Sequence, residues 1–316
     1  MNSRIPTGLR AIVLLALMWT IASAASPAQE KNSAPVSVQT EMHNVLYRFT
    51  GNIAVRIFDL EGSLLPTPNH QLPVFDDPPS FLINIRSATI SITTDQLANV
   101  MNEHVFAPKD APLKGLTITA SGNLLKIKGK LHSKGDVPFE TEGSLSATAD
   151  GKVRVQARQI RAAHLPVKGF MDLVGLQIEK LINTQKVHGV RVEGDDLLLD
   201  PEQLFPPPQI RGKLTDIKIQ GNDVLLIFGA RAAQPALYKS GGNYMACLGG
   251  QLRFGKLTMD NSDMVLIDMD AKDPFDFFLG HYKEQLAAGY SKNTLQDGLR
   301  VHMPDYGKLR VSRNKQ

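Results

Sequence analysis

Between residues 113 and 163, apolar and polar side chains alternate with period two through four successive segments, and no other feature so narrows what this chain can build. Leu116-Thr-Ile118-Thr-Ala120 and Leu125-Lys-Ile127-Lys-Gly-Lys-Leu131 flank a Gly122-Asn123 turn. Val137-Pro-Phe139-Glu-Thr141-Glu-Gly143-Ser-Leu145-Ser-Ala147 follows, with Glu140, Glu142, Ser144 and Ser146 on the opposite side. Asp150-Gly151 is a two-residue hairpin signal, and beyond it Val153, Val155 and Ala157 alternate with Arg154, Gln156 and Arg158. Successive strand residues face opposite ways, so this pattern predicts an antiparallel meander with one wet and one apolar face. At Gln159-Ile160 the phase slips by one, the mark of a bulge that bends the sheet.

The next segment predicts a helix over 167–183. Val167, Phe170, Met171, Val174, Ile178, Leu181 and Ile182 fall on one arc, a core-facing stripe. Leu173 and Leu176 lie outside it, beside Asp172 and Lys180, so the helix is apolar on more than one side. Elsewhere, Val45 to Leu60 reads as one or two strands and Phe81 to Ile92 as a half-buried strand. Thr93-Thr94-Asp95 then caps a helix over 95–106, with Leu97, Met101, His104 and Val105 on one face. Short strands are expected at 190–192, 196–199, 210–219 and 224–228. After Ala233, Leu252–Met259 and Met264–Met269 read as a hairpin around Asp260-Asn261-Ser262-Asp263. Asp273-Pro274 opens a last helix with Phe275, Phe278, Leu279, Tyr282 and Leu286 as its buried stripe, and strands at 299–303 and 308–311 close the chain.

The N-terminus is a separate object. Arg4 and Arg10 precede an apolar run from Ala11 to Ile21 that ends in Ala22-Ser23-Ala24, the pattern of a cleaved secretory signal peptide. The run is shorter than the roughly 20 apolar residues a membrane span needs. The expected organisation is therefore a signal over 1–24, a polar linker over 25–36, a main domain over 37–232, and a β/α extension over 233–316. The expected location is the periplasm or the exterior. Formal net charge is +4 for the whole chain and +2 without the first 24 residues, and the basic residues are interspersed. Nucleic acid, which draws a basic stripe, is not an expected partner.

Motifs for covalent or metal chemistry are missing from the sequence. It holds no G-x-S-x-G, H-E-x-x-H, phosphate-loop or dinucleotide fingerprint, and its eight histidines are scattered. Cys247, the single cysteine, reads as a buried small hydrophobe, and His104 as a core or boundary residue. Asp268-Met-Asp270 with Asp273 lacks the glycine and distal glutamate of a calcium loop, and Glu140 with Glu142 reads as a solvated strand face. No catalytic residue, metal or cofactor is expected.

A bent, one-faced meander beside a helix with too much apolar surface suggests a mostly β, α+β fold in which a curved antiparallel sheet wraps a long helix. Such an arrangement leaves an elongated apolar groove, suited to an acyl chain at about 0.8 kcal/mol per buried methylene. The run from Ile90 to Phe228 resembles bacterial envelope proteins of the tubular lipid-binding (TULIP-like) fold, closest to the phospholipid-binding family associated with mycobacterial lipomannan elongation. The residues carrying the likeness are Ile90-Ser-Ile92-Thr-Thr-Asp95-Gln-Leu97, the meander Gly135 to Ala157, Gly169 to Asn183, and Val190-Arg-Val192-Glu-Gly-Asp195. The resemblance implies phospholipid binding without catalysis and covers under half of the chain; the C-terminal extension departs from it. The expected groove is lined by Leu116, Ile118, Leu125, Ile127, Phe139 and Leu145 from the sheet and by Phe170, Leu173, Val174 and Leu181 from the helix. The expected partners are a phospholipid or other acyl-chain lipid and an envelope membrane protein. Two other readings stand beside this one. The same residues can pack into a filled core, leaving Leu173 and Leu176 as a protein-binding patch, or the chain can be an exported hydrolase using two converging carboxylates.

Overall fold

The computed structural model describes residues 37–132, 136–162, 184, 187–230, 236–238 and 241–313, all within one unit that spans Pro35–Gln316. The signal expected over 1–24, the linker expected over 25–36 and the helix expected over 167–183 lie outside the described residues, and with that helix Phe170, Leu173, Val174, Leu176 and Leu181. The described chain is mostly β.

Three long strands open the fold: β1 (Val38–Arg48), β2 (Ala54–Pro66) and β3 (Phe81–Thr93). Thr93 then caps helix α1 (Thr94–Val100) by accepting a hydrogen bond from the Gln96 amide at 3.1 Å, and the helix runs on into a π turn over Met101–Val105. The alternating meander follows as β4 (Leu113–Ser121), β5 (Leu124–His132), β6 (Asp136–Ala147) and β7 (Val153–Ala162). Next come β8 (Val190–Glu193), β9 (Asp196–Leu199), the one-turn helix α2 (Pro201–Leu204), β10 (Gln209–Arg211), β11 (Leu214–Gln220) and β12 (Asp223–Phe228). The rest comprises β13 (Tyr244–Gly249), β14 (Leu252–Phe254), β15 (Leu257–Met259), β16 (Ser262–Asp268), β17 (Phe275–Phe278), α3 (Tyr282–Ala288), β18 (Tyr290–Asn293), β19 (Leu299–Met303) and α4 (Tyr306–Arg313).

Two large sheets result. In the first, the order is β11-β12-β3-β2-β1-β13-β16-β19-β18, with β10 beside the start of β3 and β17 beside the end of β1. Its outer strands are shorter than β1 and β3, so two different strands share the free edge of each. The second sheet is the meander extended by the β8–β9 hairpin, in the order β4-β5-β6-β7-β9-β8, antiparallel throughout. No barrel closes. The apolar faces meet in one cluster running from Val38 and Met42 through Ile90 and Leu125 to Phe228 and Met303.

The C-terminal segment joins the first sheet through β13, whose register on β1 runs from Gln39↔Leu248 to His43↔Tyr244. Its details correct three expectations. Residues 252–259 make their own hairpin, β14–β15, around Gly255 (φ +61°), while β16 pairs with β13 rather than with them. The reason is β13 itself: Tyr244, Met245, Ala246 and Cys247 are all buried, and the strand has two partners to satisfy. Phe275–Phe278 is a strand, not the start of a helix. All four residues are buried and pair in parallel with Val45–Arg48, and the helix begins only at Tyr282. Residues 308–311 belong to a helix because the Asp305 carbonyl accepts from the Lys308 and Leu309 amides, opening α4.

Cys247 is buried, and burial pushes its thiol pKa up to about 12. The Asp150-Gly151 connection spans five residues rather than two, with Thr148 N bonded to Lys152 O at 2.9 Å and the Thr148 hydroxyl oxygen accepting from Lys152 N. The bulge in β7 falls at Arg158, between the pairs Glu142↔Gln159 and Gly143↔Ala157.

Candidate functional site

The inward face of the meander is determined by its alternation. Leu116 and Ile118 of β4, Leu125, Ile127 and Leu131 of β5, Val137, Phe139 and Leu145 of β6, and Val153 and Val155 of β7 turn to one side. Opposite them stand Ile92 of β3, Ile217 of β11, and Val224 and Leu226 of β12. The two faces do not meet everywhere. Between them lies a partly open cavity of about 140 Å³. Leu97, Val100, Met101 and Phe106 from α1, the π turn and the residue after it, and Pro201, Leu204 and Phe205 from α2 and the residue after it, also line it. Among the described residues, Thr141 is the only lining residue with a polar side chain.

All six sheet residues expected to line a groove, Leu116, Ile118, Leu125, Ile127, Phe139 and Leu145, are brought together in this wall. The four expected from the helix side lie outside the described residues. Sequence reasoning missed the opposite wall, Ile217, Val224 and Leu226, together with α2. Leu97 and Met101 were placed on one helix face and do reach the cavity; His104, half-buried on the π turn, does not line it, and its pKa is lowered by burial.

Local chemistry shapes the wall at three points. The Asn102 side chain on the π turn grips Leu116, its Oδ1 accepting from the Leu116 amide and its Nδ2 donating to the Leu116 carbonyl, both at 2.8 Å. This restores the backbone pairing that β4 loses at its register shift between Lys114 and Thr117. Gly129 permits close layering: a Cβ there would fall 2.6 Å from Leu116 Cδ2 and 3.2 Å from Phe139 Cε1. Gly143 and Ala157, opposite one another across β6 and β7, are two small residues in the wall.

Coverage of the wall is uneven. Leu113, Leu116, Ile118, Leu125, Val153 and Val155 are buried, whereas Ile127, Leu131, Val137 and Phe139 are half-buried. On the opposite, wet face, Glu140 pairs with Lys126 at 2.6 Å and Lys128 at 3.3 Å; the hydrogen bond from Lys126 is the main cause holding its carboxyl below the usual range.

Among the described residues no carboxylate lines the cavity. Asp268 and Asp305, whose pKa values are raised by burial, belong to a separate polar network at the C-terminus. There Lys308 Nζ reaches Asp270 at 2.8 Å, Asp273 at 3.2 Å and Asp305 at 2.7 Å. Among the described residues no group of three or more His, Cys, Asp or Glu side chains is arranged to hold a metal ion, and no helix is long and apolar enough to cross a membrane. No family model, curated protein or solved structure matches the chain, so the resemblance to TULIP-like envelope proteins rests on the residue patterns alone.

Proposed function

We propose that this chain is an exported lipid-binding protein that holds an acyl chain between its two sheets and does no chemistry on it. The observation carrying the reading is the cavity of about 140 Å³ whose wall, among the described residues, offers one hydroxyl and otherwise hydrocarbon. Apolar cavities near 150 Å³ stay dry and take up small apolar molecules such as benzene, so water is a poor occupant here. The enclosed space accommodates roughly six carbons on that scale, worth about 5 kcal/mol at about 0.8 per methylene. Micromolar retention needs about 8 kcal/mol, or roughly ten methylenes. A bound chain must therefore extend beyond the enclosed space, and the half-buried Ile127, Leu131, Val137 and Phe139 supply a continuous apolar path for it. Binding without catalysis is the simpler reading because, among the described residues, the wall offers no carboxylate, histidine, lysine or cysteine to activate the Thr141 hydroxyl, and export is read from the signal-like N-terminal sequence.

The test is native mass spectrometry of the protein purified without detergent, followed by extraction and lipid identification. A stoichiometric acyl-chain adduct is expected. A bare mass that stays bare after incubation with phospholipid vesicles refutes the reading and favours an interaction protein whose sheets close on one another.

A further inference from the structure

Gly129 alternates in phase with Ile127 and Leu131, so β5 turns a position without a side chain toward the cavity. Its neighbours fill the gap. A Cβ there would fall 2.6 Å from Leu116 Cδ2 and 3.2 Å from Phe139 Cε1, so Leu116 of β4 and Phe139 of β6 lean over the glycine from either side. The trough that a glycine would otherwise leave along β5 is closed. What stays open is about 140 Å³, room for one benzene-sized molecule or roughly six carbons. From there the half-buried wall continues through Phe139 to Val137, two residues away on the same face of β6, and to Leu131, the register partner of Val137 on β5. This path spans two strands, about 5 Å from axis to axis, which is the thickness of one extended hydrocarbon chain and less than that of two side by side.

We infer that the cavity admits one chain at a time, narrowed by Leu116 and Phe139, and that its ligand is a single-chain amphiphile of the lysophospholipid class rather than a lipid with paired chains. The inference rests on reading the cavity as a lipid site and adds the class of lipid. Two chains side by side would divide the space for roughly six carbons between them, seating the tips of both and the body of neither. One chain uses all of it and continues along Phe139, Val137 and Leu131. Each methylene taken wholly out of water is worth about fourfold in retention, and each one half covered about twofold. A lipid with paired chains seats one of them and gains nothing from the other.

The delipidated protein is titrated with lauroyl-lysophosphatidylcholine and with dihexanoylphosphatidylcholine, each kept below its micelle concentration. The two lipids share a headgroup and the number of chain carbons and differ in having one chain or two. Both seat roughly six carbons in the cavity, and the lauroyl chain lays about six more along the half-covered path, so it should bind on the order of fiftyfold more tightly. Phe139→Ala removes a ring of the size that a cavity of about 150 Å³ holds and so opens room for a second short chain. In that variant the preference should fall severalfold, with both lipids still bound. Equal binding by the wild type, or a preference for the dihexanoyl lipid, means that two chains fit side by side; it overturns the single-chain inference and leaves the lipid reading standing. A preference that Phe139→Ala leaves unchanged, in a variant that still unfolds cooperatively on heating, also overturns it, because selection then comes from chain length alone. Neither lipid bound overturns both.

Discussion

Filling the cavity from within separates a binding site from a packing defect. Ala157 lies on the wall opposite Gly143, and its methyl group is smaller than the neighbouring lining side chains of β7, Val153 and Val155. An unfilled space of about 140 Å³ destabilises a folded chain by about 3 kcal/mol, at roughly 24 cal/mol per Å³. Ala157→Leu occupies part of that space and Ala157→Phe most of it, against an overpacking penalty of about 1–3 kcal/mol. The lipid-free variants should therefore range from unchanged to more stable by about 2 kcal/mol, which raises Tm by several degrees in a domain of this size. Lipid retention should fall in the order wild type, Leu, Phe, because the side chain occupies the volume the acyl chain needs. The assays are thermal unfolding after delipidation and lipid-to-protein ratio by native mass spectrometry. A Phe variant destabilised by more than about 2 kcal/mol, with lipid content unchanged, would refute the claim that Ala157 borders open space.

Other outcomes follow from the same geometry. Asn102→Ala strips the Leu116 amide and carbonyl of their partners; a loss of about 2 kcal/mol is expected by urea unfolding, with weaker lipid retention because Leu116 shifts in the wall. Cys247 should resist alkylation in the native state and react at once in denaturant, since a buried thiol with pKa near 12 is almost entirely protonated at neutral pH. The C-terminal carboxylates should oppose one another with pH. Asp270, lowered by its hydrogen bond from Lys308, contributes stability above the unfolded pKa near 3.8 and loses it as pH falls through the folded value. Asp305, raised by burial, contributes fully below 3.8 and loses its contribution as pH rises through its folded value. Asp305→Asn keeps an acceptor for the Asp276 amide, so comparing urea midpoints at about pH 4 and pH 7 should show stability shifted in favour of pH 7 relative to wild type.

How much of this was legible beforehand depended on whether an element exposes one face. The meander was readable because Thr117, Lys126, Glu140 and Arg154 alternate with apolar partners, and that alternation also placed the six sheet residues of the cavity. Tyr244–Cys247 has no alternation because both faces of the strand are covered, Met245 and Cys247 in the main core and Tyr244 and Ala246 in a second cluster with Val265, so the strand gives no period-two signal and β16 has no visible partner in the sequence. Phe275, Phe278, Leu279, Tyr282 and Leu286 mimic a helical stripe only because a four-residue strand runs through a single tight turn, Leu279–His281, into α3. The opposite wall of the cavity was invisible for a different reason. Ile217, Val224 and Leu226 are ordinary strand residues, and nothing local reveals that they face β6 across the molecule.

Two small residues in the wall differ in why they are small, and the difference is testable. A Cβ on Gly143 would sit 3.1 Å from the Gln156 carbonyl oxygen and 3.3 Å from Val155 Cγ1, tighter than strand neighbours tolerate without shifting. The nearest of these atoms is backbone of β7, so room for a methyl group on Gly143 has to come from a shift of that strand, whatever the cavity holds. Ala157 faces open space, where packing alone favours a larger side chain. Gly143→Ala should therefore destabilise the protein by about 1–2 kcal/mol without filling the cavity, and Ala157→Leu should do the opposite, although the two positions are register partners. Opposite signs in thermal unfolding, with lipid lost only in the Ala157 variant, would identify the alanine as the position kept small for a ligand. Equal destabilisation at both would mean that the strands themselves demand the small pair and that the void is a by-product of the bulge.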